Sequence, residues 1–411
     1  MTTATPRWIS SGGTATILGS PARTLVWAGL AAMTLASCAI PDIRAKAAEA
    51  AVERHVERGY LADRKYATVS TRDSWTIDGD TVDVSLIAPG GTQSLPLVVY
   101  LPGLGESSES GSAWRESWAE AGYAVLAVQP ASVGPAIWSS ELARDGDFRK
   151  LAEREFSAAS LAKRVALVSG TLAEIERRSR AAAQGPYRRI DLSRIAVAGF
   201  DLGAQTAMIV AGEAIDGVAS PKWPAAVKAV IALSPYADFS GMGLERDFRS
   251  VRAPVLCVTS FEDTDPYGLI TTAALRRAPF QYMPAGQKYL LLLSATPHAL
   301  LSGRTMPPRQ PKADRSADGG MPAGGRTDDR AEGAGRRRSR DIGNQAPGDA
   351  SSSSADSSAE SSPHWKLQLA NVEGVTKGYL DATVKNDDVA RQWLRHDAPR
   401  WLGKSGELQF K

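Results

Sequence analysis

Short apolar runs recur along the central part of the chain, and each of them predicts a β-strand. The segment Trp75–Ala88 alternates apolar and polar residues, which is typical of a half-buried edge strand or hairpin. The run LPLVVYL at Leu95–Leu101 is apolar throughout, as in a strand buried on both faces of a parallel sheet. Further runs of this kind predict later strands at Ala124–Val128, Ile195–Ala198, Val227–Leu233, Val255–Thr259 and Tyr289–Leu293.

Helical periodicity occupies the intervals between these runs. Short helices are predicted at Ala113–Ala121 and at Ala204–Ala211. Between them, one long amphipathic helix is predicted by apolar residues at helical spacing, Leu161, Val165, Val168, Leu172 and Ile175. The alternation of strands and helices up to residue 300 predicts an α/β fold with a doubly wound, mostly parallel sheet.

Residues 303–364 interrupt this pattern because they contain almost no apolar side chains. The segment is rich in Gly, Pro, Ser, Asp and Arg, and it includes the arginine run at residues 336–338. Such a composition buries too little apolar surface to offset the loss of chain entropy, so we predict a disordered insertion. Helical spacing resumes at Trp365, and residues 365–411 are predicted to complete the core formed by residues 71–302.

The N-terminal residues have the features of an export signal. Positive charge at Arg7 and Arg23 precedes the apolar run Leu25–Leu35, which is too short to span a bilayer. This run leads into the sequence LASC, which ends at Cys38 and resembles a bacterial lipobox. An ordinary secretory signal and a buried apolar helix are the alternatives.

The lipobox resemblance implies an exported lipoprotein. Residues 1–37 would be a signal peptide that is removed, and Cys38 would carry acyl chains that anchor the protein to a membrane. Residues 38–70 would form a tether. The protein would then lie in the periplasm or on the cell surface, and Ala39 resembles the sorting signal of outer-membrane lipoproteins in Gram-negative bacteria.

The composition of the 411-residue chain narrows the function classes. Apolar residues make up 43%, which is enough for a large core and excludes a mainly disordered protein. The formal net charge of +3 is small for this length and does not suggest nucleic-acid binding. Only Cys38 and Cys257 are present as cysteines, so neither a disulfide framework nor a cysteine-rich metal site is expected. We expect no metal and no cofactor.

A candidate catalytic motif follows the strand at Ile195–Ala198. The sequence GFDLG at residues 199–203 leads from this strand into a helix of small residues, in the pattern of a nucleophile elbow with Asp201 where serine usually stands. The glycines allow strand and helix to approach closely around a strained turn, and the helix N-terminus favours negative charge. The alternative is a turn in which Asp201 only caps the helix.

The loop LPGLG at residues 101–105 follows a buried strand upstream of this elbow. In folds that carry a nucleophile elbow, that loop supplies one backbone N–H of the oxyanion hole, and the residue after the nucleophile supplies the other. The candidate donors are the amides of Leu104 and Leu202. An ordinary Pro-Gly turn is the alternative.

Acidic residues follow the strand at Val255–Thr259, in the sequence SFEDTDP. A carboxylate there can hold a histidine in one tautomer and stabilise its cation. Asp263 is the first candidate for this acid, Asp265 the second and Glu262 the third. A helix cap is the alternative, and it suits Asp265 best.

His298 is the candidate base, because it follows the strand at Tyr289–Leu293. The other three histidines lie in the predicted tether (His55), the predicted insertion (His364) and a C-terminal helix (His396). The order of nucleophile, acid and histidine along the chain is the order that α/β-hydrolases use. A loop histidine without a function is the alternative.

Together these segments resemble the α/β-hydrolase superfamily, over Val82–Leu301 and again over Trp365–Leu402. The resemblance rests on LPLVVYLPGLG, RIAVAGFDLGAQTAM, APVLCVTSFEDTDP and SATPHALLSG. It is closest to the group of dienelactone hydrolases, platelet-activating-factor acetylhydrolases and cutinases. This resemblance implies hydrolysis of esters or lactones without a cofactor, in a fold without a cap domain.

Asp201 departs from the serine of that group. GFDLGA is also similar to the GHDWGA-type elbow of epoxide hydrolases and haloalkane dehalogenases, in which an aspartate attacks an sp³ carbon and water then hydrolyses the ester. Attack of a carboxylate on an ester carbonyl would instead give a high-energy anhydride. Against this second likeness, only Pro235–Ala253 stands where those enzymes insert a cap, and Leu202 replaces their halide-binding tryptophan.

Two functions therefore remain open. In the first, the chain hydrolyses a small-molecule or lipid-like substrate, with Asp201 as nucleophile, His298 activating water and Asp263 orienting His298. Asp201 could alternatively act as a base toward water, without a covalent step. In the second, the chain is a lipoprotein that kept the fold and the pocket but binds without catalysis. Three tryptophans are candidates for the pocket lining, Trp114, Trp118 and Trp138.

Overall fold

The structure of this chain is a computed structural model. It describes residues 43–218, 227–237, 243–304 and 362–411. The predicted signal peptide, Cys38 and most of the predicted insertion lie outside the described residues. The chain divides into two units, Met1–Glu53 and Arg54–Lys411. Residues 43–57 are helical (α1), and all strands of the described residues belong to the second unit.

The second unit is built on one sheet, which has nine strands in the part of the chain that the structure describes. In chain order they are β1 Thr68–Ile77, β2 Asp80–Pro89, β3 Leu95–Leu101, β4 Ala124–Pro130, β5 Ile190–Phe200, β6 Val227–Leu233, β7 Val255–Ser260, β8 Lys288–Leu293 and β9 Gly406–Phe410. Their order across the sheet is β1-β2-β4-β3-β5-β6-β7-β8-β9. Strands β3 to β8 run parallel, whereas β2 is antiparallel to both neighbours and β9 to β8.

Helices connect these strands. After α1 they are α2 Ser112–Glu120, α3 Glu141–Arg144, α4 Phe148–Glu155, α5 Ala158–Ala181, α6 Pro186–Arg189, α7 Leu202–Ala211, α8 Leu244–Phe248, α9 Ala278–Tyr282, α10 His298–Leu301, α11 Pro363–Thr383, α12 Asp388–Gln392 and α13 Ala398–Leu402. Among the described residues, no helix combines the length and the apolar character that crossing a bilayer requires.

Two apolar clusters hold helices against opposite faces of the sheet. Val168 and Ile175 of α5 pack with Met208 of α7 on one face. Trp118 of α2 and Val375 of α11 pack on the other face. All seven residues of β3 are buried between these layers, as its continuous apolar sequence predicts. The predicted α/β fold with a mostly parallel sheet is therefore confirmed.

The predicted edge segment Trp75–Ala88 lies in a hairpin of β1 and β2. Its turn consists of Asp78 and Gly79, both with positive φ (52° and 89°), which matches the right-handed twist of the two strands. Of the residues of β1, only Trp75 and Ile77 are buried, so this strand is the exposed edge of the sheet.

A helical segment between β4 and α5, which the sequence did not predict, lies over the carboxyl edge of the sheet. We call residues 131–157 the cover; it contains a single 3₁₀ turn at Pro135–Ser139 and the short helices α3 and α4. Its apolar side chains form a third cluster with Leu104, Leu202 and Tyr267. The cover therefore packs directly on both loops that the sequence predicts to stabilise negative charge.

The structure differs from the predicted organisation at three places. Part of the predicted tether is folded, because Tyr60 is buried and its hydroxyl donates to Asp381 Oδ2 at 2.8 Å. The predicted insertion is shorter at its C-terminal end, since α11 begins at Pro363 with the Ser362 hydroxyl accepting the Trp365 N–H as a cap. The C-terminal segment is not only helical, because β9 supplies main-chain hydrogen bonds to the otherwise open edge of β8.

Candidate active site

Several strand ends meet at one edge of the sheet. Asp201 directly follows β5, Ser234 follows β6, Asp263 lies shortly after β7, and His298 begins α10 after β8. Because β5 to β8 are parallel neighbours, their carboxyl ends lie at the same edge, where ligands bind in open α/β sheets. The fold therefore brings the predicted Asp201, Asp263 and His298 together, and it adds Ser234, which the sequence did not indicate.

Asp201 occupies a strained turn between β5 and α7. Its backbone has φ 51° and ψ −113°, a rare conformation that costs about 1–3 kcal/mol in a residue other than glycine. Its N–H donates to the carbonyl of Leu233 on β6 at 3.0 Å, which holds the turn against the next strand. The Asp201 side chain accepts no hydrogen bond from the second or third N–H group of α7, where a helix cap would act. The turn is therefore not explained by a need for a helix cap.

Two glycines permit this turn. A Cβ on Gly203 would lie 1.9 Å from the Leu101 carbonyl oxygen, and a Cβ on Gly199 would lie 2.3 Å from the Gly203 carbonyl carbon. Both contacts are with backbone, which cannot move aside as a flexible side chain can. The spacing of glycines in GFDLG therefore follows from the close approach of β3, β5 and α7 around Asp201.

His298 and Asp263 form a hydrogen-bonded pair. His298 Nδ1 lies 2.7 Å from Asp263 Oδ1. The other oxygen, Oδ2, accepts the Thr259 hydroxyl at 2.7 Å, and the Ser234 hydroxyl donates to Oδ1 at 2.8 Å. Since Asp263 accepts a hydrogen bond from Nδ1, neutral His298 carries its proton on Nδ1, and its lone pair is on Nε2. This tautomer is the one that a general base requires.

The charge of Asp263 is stabilised by its surroundings. Burial alone would raise its pKa, but the nearby charge of Arg276 and the hydrogen bonds from His298 and Thr259 outweigh burial and lower it. The guanidinium of Arg276 is buried, with Nε 3.3 Å from Asp263 Oδ1 and Nη1 donating to the Ser234 carbonyl at 3.1 Å. Asp263 is therefore an anion at neutral pH, held in place by charge-assisted hydrogen bonds.

The carboxyl group of Asp201 is almost fully buried, with the residue 3% exposed. Burial raises its pKa, while the charges of His298 and Arg276 and a hydrogen bond from the Leu202 amide lower it only in part. The ring of Phe200, the preceding residue, packs on the His298 ring with centroids 4.9 Å apart. Asp201 and His298 are therefore close enough to interact electrostatically.

The two predicted oxyanion donors lie on adjacent loops. Leu104 follows β3, and Leu202 is the first residue of α7; both are buried. The loops touch, because a Cβ on Gly103 would lie 3.4 Å from the Asp201 Cβ. The carbonyl of Leu104 accepts the Tyr267 hydroxyl at 3.5 Å.

The other two candidate acids have different surroundings. Asp265 accepts the backbone N–H groups of Tyr267 at 3.2 Å and of Ile270 at 2.7 Å, so it shapes its own loop. Glu262 is exposed. Only Asp263 of the three is hydrogen-bonded to His298.

Glu106 is a residue of the site that the sequence analysis missed. It lies just past the LPGLG loop, is 5% exposed, and its Oε2 accepts the Gly103 N–H at 2.9 Å. The Gln129 side chain ties the same loop together by donating to the carbonyls of Gly103 and Glu106, both at 2.9 Å. A signal was present in the sequence, a carboxylate close to a glycine-rich loop, but nothing in the sequence marked it as buried.

A groove opens beside this loop. Its volume is about 390 Å³, and its lining includes Glu106, Glu109, Trp138 and Arg304. Of the three tryptophans considered as pocket residues, Trp138 lines this groove, whereas Trp114 and Trp118 are fully buried in the core. The groove therefore reaches the loop that packs on Asp201.

Within the described residues, no group of three or more His, Cys, Asp or Glu side chains is arranged to hold a metal ion. The sequence matches no model of a known protein family, and no curated protein matches it significantly.

Proposed function

We propose that this protein is a cofactor-independent hydrolase of the α/β-hydrolase type, in which Asp201 is the catalytic carboxylate. The observation that carries the proposal is the buried Asp201 on a strained turn, beside a histidine whose Nδ1 is held by a second carboxylate. Strain of this kind persists at functional sites because surrounding structure enforces it. A strand–turn–helix with this residue order is also the setting of a nucleophile elbow.

The carboxylate favours one class of bond. The α/β-hydrolase resemblance suggests esters or lactones, but attack by Asp201 on a carbonyl carbon would yield an anhydride, which is a poor intermediate. Attack on an electrophilic sp³ carbon, as in an epoxide or a carbon–halogen bond, yields an ordinary ester. We therefore propose a small-molecule or lipid-like substrate with such a carbon.

The proposed reaction has two steps. In the first, an oxygen of Asp201 bonds to the substrate carbon while the bond from that carbon to its leaving group breaks. In the second, His298 Nε2 takes a proton from water, whose oxygen attacks Cγ of the Asp201 ester and releases the product. Asp263 stabilises the imidazolium that forms. The amides of Leu104 and Leu202 are proposed to bind the negative charge of the tetrahedral intermediate.

The location of the protein follows from the lipobox. We propose that Cys38 carries the lipid that anchors an exported protein, so Cys38→Ser should move the protein from the membrane fraction to the soluble fraction. If Cys38→Ser stays in the membrane fraction, the proposed lipid anchor is refuted. The only partners that we propose are the membrane and the substrate, and we propose no binding to nucleic acid.

A substrate panel tests the enzymatic proposal. The purified protein is assayed with p-nitrophenyl esters, epoxides and haloalkanes, beside Asp201→Asn and Asp201→Ser. Asp387→Asn serves as a control, because Asp387 caps α12 on the surface and asparagine caps as well. The proposal expects turnover that Asp201→Asn abolishes and Asp387→Asn leaves unchanged.

Two other outcomes would argue against Asp201 as a catalytic carboxylate. If only Asp201→Ser gains esterase activity, the oxyanion hole is competent but Asp201 itself does not catalyse. If the wild-type protein hydrolyses none of these substrates, the result fits the second function, a lipoprotein that binds without catalysis.

A further inference from the structure

Glu106 is held in one position by its own loop. The Gly103 N–H donates to Oε2 at 2.9 Å, and Arg304 Nη2 lies 3.8 Å from Oε1. The backbone of the loop is fixed in turn by Gln129, which donates to the carbonyls of Gly103 and Glu106. A carboxyl group with a fixed position and little exposure is suited to a proton transfer that requires alignment.

The loop that holds this carboxyl group packs on Asp201, and the two carboxyl groups interact electrostatically. Gly103, whose N–H bonds to Glu106, approaches Asp201 so closely that a Cβ would lie 3.4 Å from the Asp201 Cβ. Glu106 also lines the groove that opens beside the loop. Glu106 therefore lines the groove and also interacts with the residue proposed to attack the substrate.

Charged and titratable groups face Glu106 from several elements. They are Arg304, Asp201, His298, Tyr100 and Tyr267. Burial raises the pKa of Glu106 to about 7, because it outweighs the Gly103 hydrogen bond and the charge of Arg304. At neutral pH a substantial fraction of the molecules therefore carries a proton on Glu106, which a carboxyl group in solvent would have lost.

On the basis of the proposed function, we propose that Glu106 is the general acid that protonates the leaving oxygen when Asp201 opens an epoxide. The site would thus favour a strained cyclic ether over a carbon–halogen bond. A halide leaves as a stable anion and needs no proton, whereas an alkoxide is a strong base and needs one. General acid catalysis of this kind contributes about 10²- to 10⁴-fold.

The atoms balance over the cycle. Asp201 bonds to a ring carbon, the carbon–oxygen bond breaks toward oxygen, and that oxygen takes the Glu106 proton. Water then gives a proton to His298 and its oxygen to Cγ of the ester. Collapse of the intermediate expels the second oxygen of the product, which takes the proton from His298. Asp201, left as a carboxylic acid, returns a proton to Glu106, and the net reaction adds water to the epoxide to give a diol.

A trapped ester isolates the first step from the second. His298→Gln removes the base, so the Asp201 ester should accumulate and be detected by mass. Its rate of formation is measured with styrene oxide and with phenethyl bromide, which share a carbon skeleton. The same rates are measured after adding Glu106→Gln, or Glu407→Gln as the control, because Glu407 is exposed on the edge strand β9 and does not line the groove.

The expected result is selective. Glu106→Gln slows ester formation from styrene oxide at least about 100-fold and leaves the rate with phenethyl bromide unchanged, while Glu407→Gln changes neither rate. With Glu106 present, the epoxide rate falls as pH rises through about 7, and with Glu106→Gln that fall disappears.

Other results overturn the inference. Equal slowing of both substrates makes Glu106 a positioning residue, and no slowing of either excludes it as an acid. Absence of any ester in His298→Gln, with either electrophile, instead refutes Asp201 as a nucleophile and the role of Glu106 with it.

Discussion

Replacing Asp201 by glycine should make the protein more stable, although it removes the proposed nucleophile. The backbone at Asp201 has φ 51° and ψ −113°, a conformation that glycine adopts without a steric cost. Relief of strain contributes about 1–3 kcal/mol, and the larger entropy of glycine in the unfolded chain opposes it by about 0.5–1 kcal/mol. The net expectation is a gain of about 0.5–2 kcal/mol in the free energy of unfolding.

The gain should depend on pH in a defined direction. Burial raises the pKa of Asp201, so its contribution to stability is fully present below the pKa of an unfolded aspartate, about 3.9, and is lost as pH rises through the folded pKa. The advantage of Asp201→Gly over the wild type should therefore grow between pH 4 and neutral pH. Urea unfolding followed by tryptophan fluorescence measures it, and the chain has ten tryptophans.

Asp78→Gly is the matched control for this experiment. Asp78 has nearly the same φ, 52°, but it is exposed in the β1–β2 turn. Its replacement should gain at most about 1 kcal/mol, without the increase toward neutral pH. If Asp201→Gly is less stable than the wild type at neutral pH, Asp201 stabilises the fold and the interpretation of its turn as a strained functional element is refuted.

Three further predictions concern residues around this turn. Asp263→Asn should lower turnover about 10³- to 10⁴-fold, and an unchanged kcat would contradict this. It should also lower stability at neutral pH, because the pKa of Asp263 is depressed in the folded protein. The stability that Asp263 contributes is present above about pH 3.9 and is lost as pH falls. Burial raises the pKa of Glu106 from 4.5 to about 7, so the wild type should lose up to about 3 kcal/mol between these pH values, at about 1.36 kcal/mol per unit. Glu106→Gln should abolish that loss. If the pH profile of urea unfolding is parallel in the variant and the wild type, this prediction is refuted. Gly203→Ala should cost at least about 3 kcal/mol, because its Cβ would meet the Leu101 carbonyl at 1.9 Å, whereas Gly134→Ala, with 3.6 Å to its nearest atom, should be nearly neutral.

The sheet could be predicted because its central strands are apolar throughout. LPLVVYL has no polar face, which fits the strand buried on both sides that it forms. The last strand, Gly406–Phe410, could not be predicted in this way, because GELQF is short and mixed in character. Its structure depends on pairing with β8, which is a tertiary contact that local sequence does not encode.

The candidate site could also be predicted only in part. Asp201, Asp263 and His298 follow apolar strands, so topology alone brings them to one edge of the sheet. Glu106 and Ser234 could not be found, because each looks like an ordinary polar loop residue. They become part of the site only through tertiary contacts: Ser234 through its hydrogen bond to Asp263, and Glu106 through burial beside Gly103.

The cover shows a further limit of sequence reasoning. The helices α3 and α4, between β4 and α5, are short, and their apolar residues Ala143, Leu151 and Ala152 belong to the cluster that contains Leu104 and Leu202. Helices of this length are marginal on their own and depend on packing.

The central claim is that Asp201 forms a covalent ester, and isotope labelling tests it most directly. The protein is incubated in ¹⁸O-labelled water with a limiting amount of an epoxide that it hydrolyses, and the peptide containing Asp201 is then analysed by mass spectrometry. Water attacks Cγ of the ester in the proposed mechanism, so ¹⁸O should enter the Asp201 carboxylate and the diol of the first turnover should be unlabelled. If the diol carries the label and Asp201 does not, water attacks the substrate directly and no covalent ester forms.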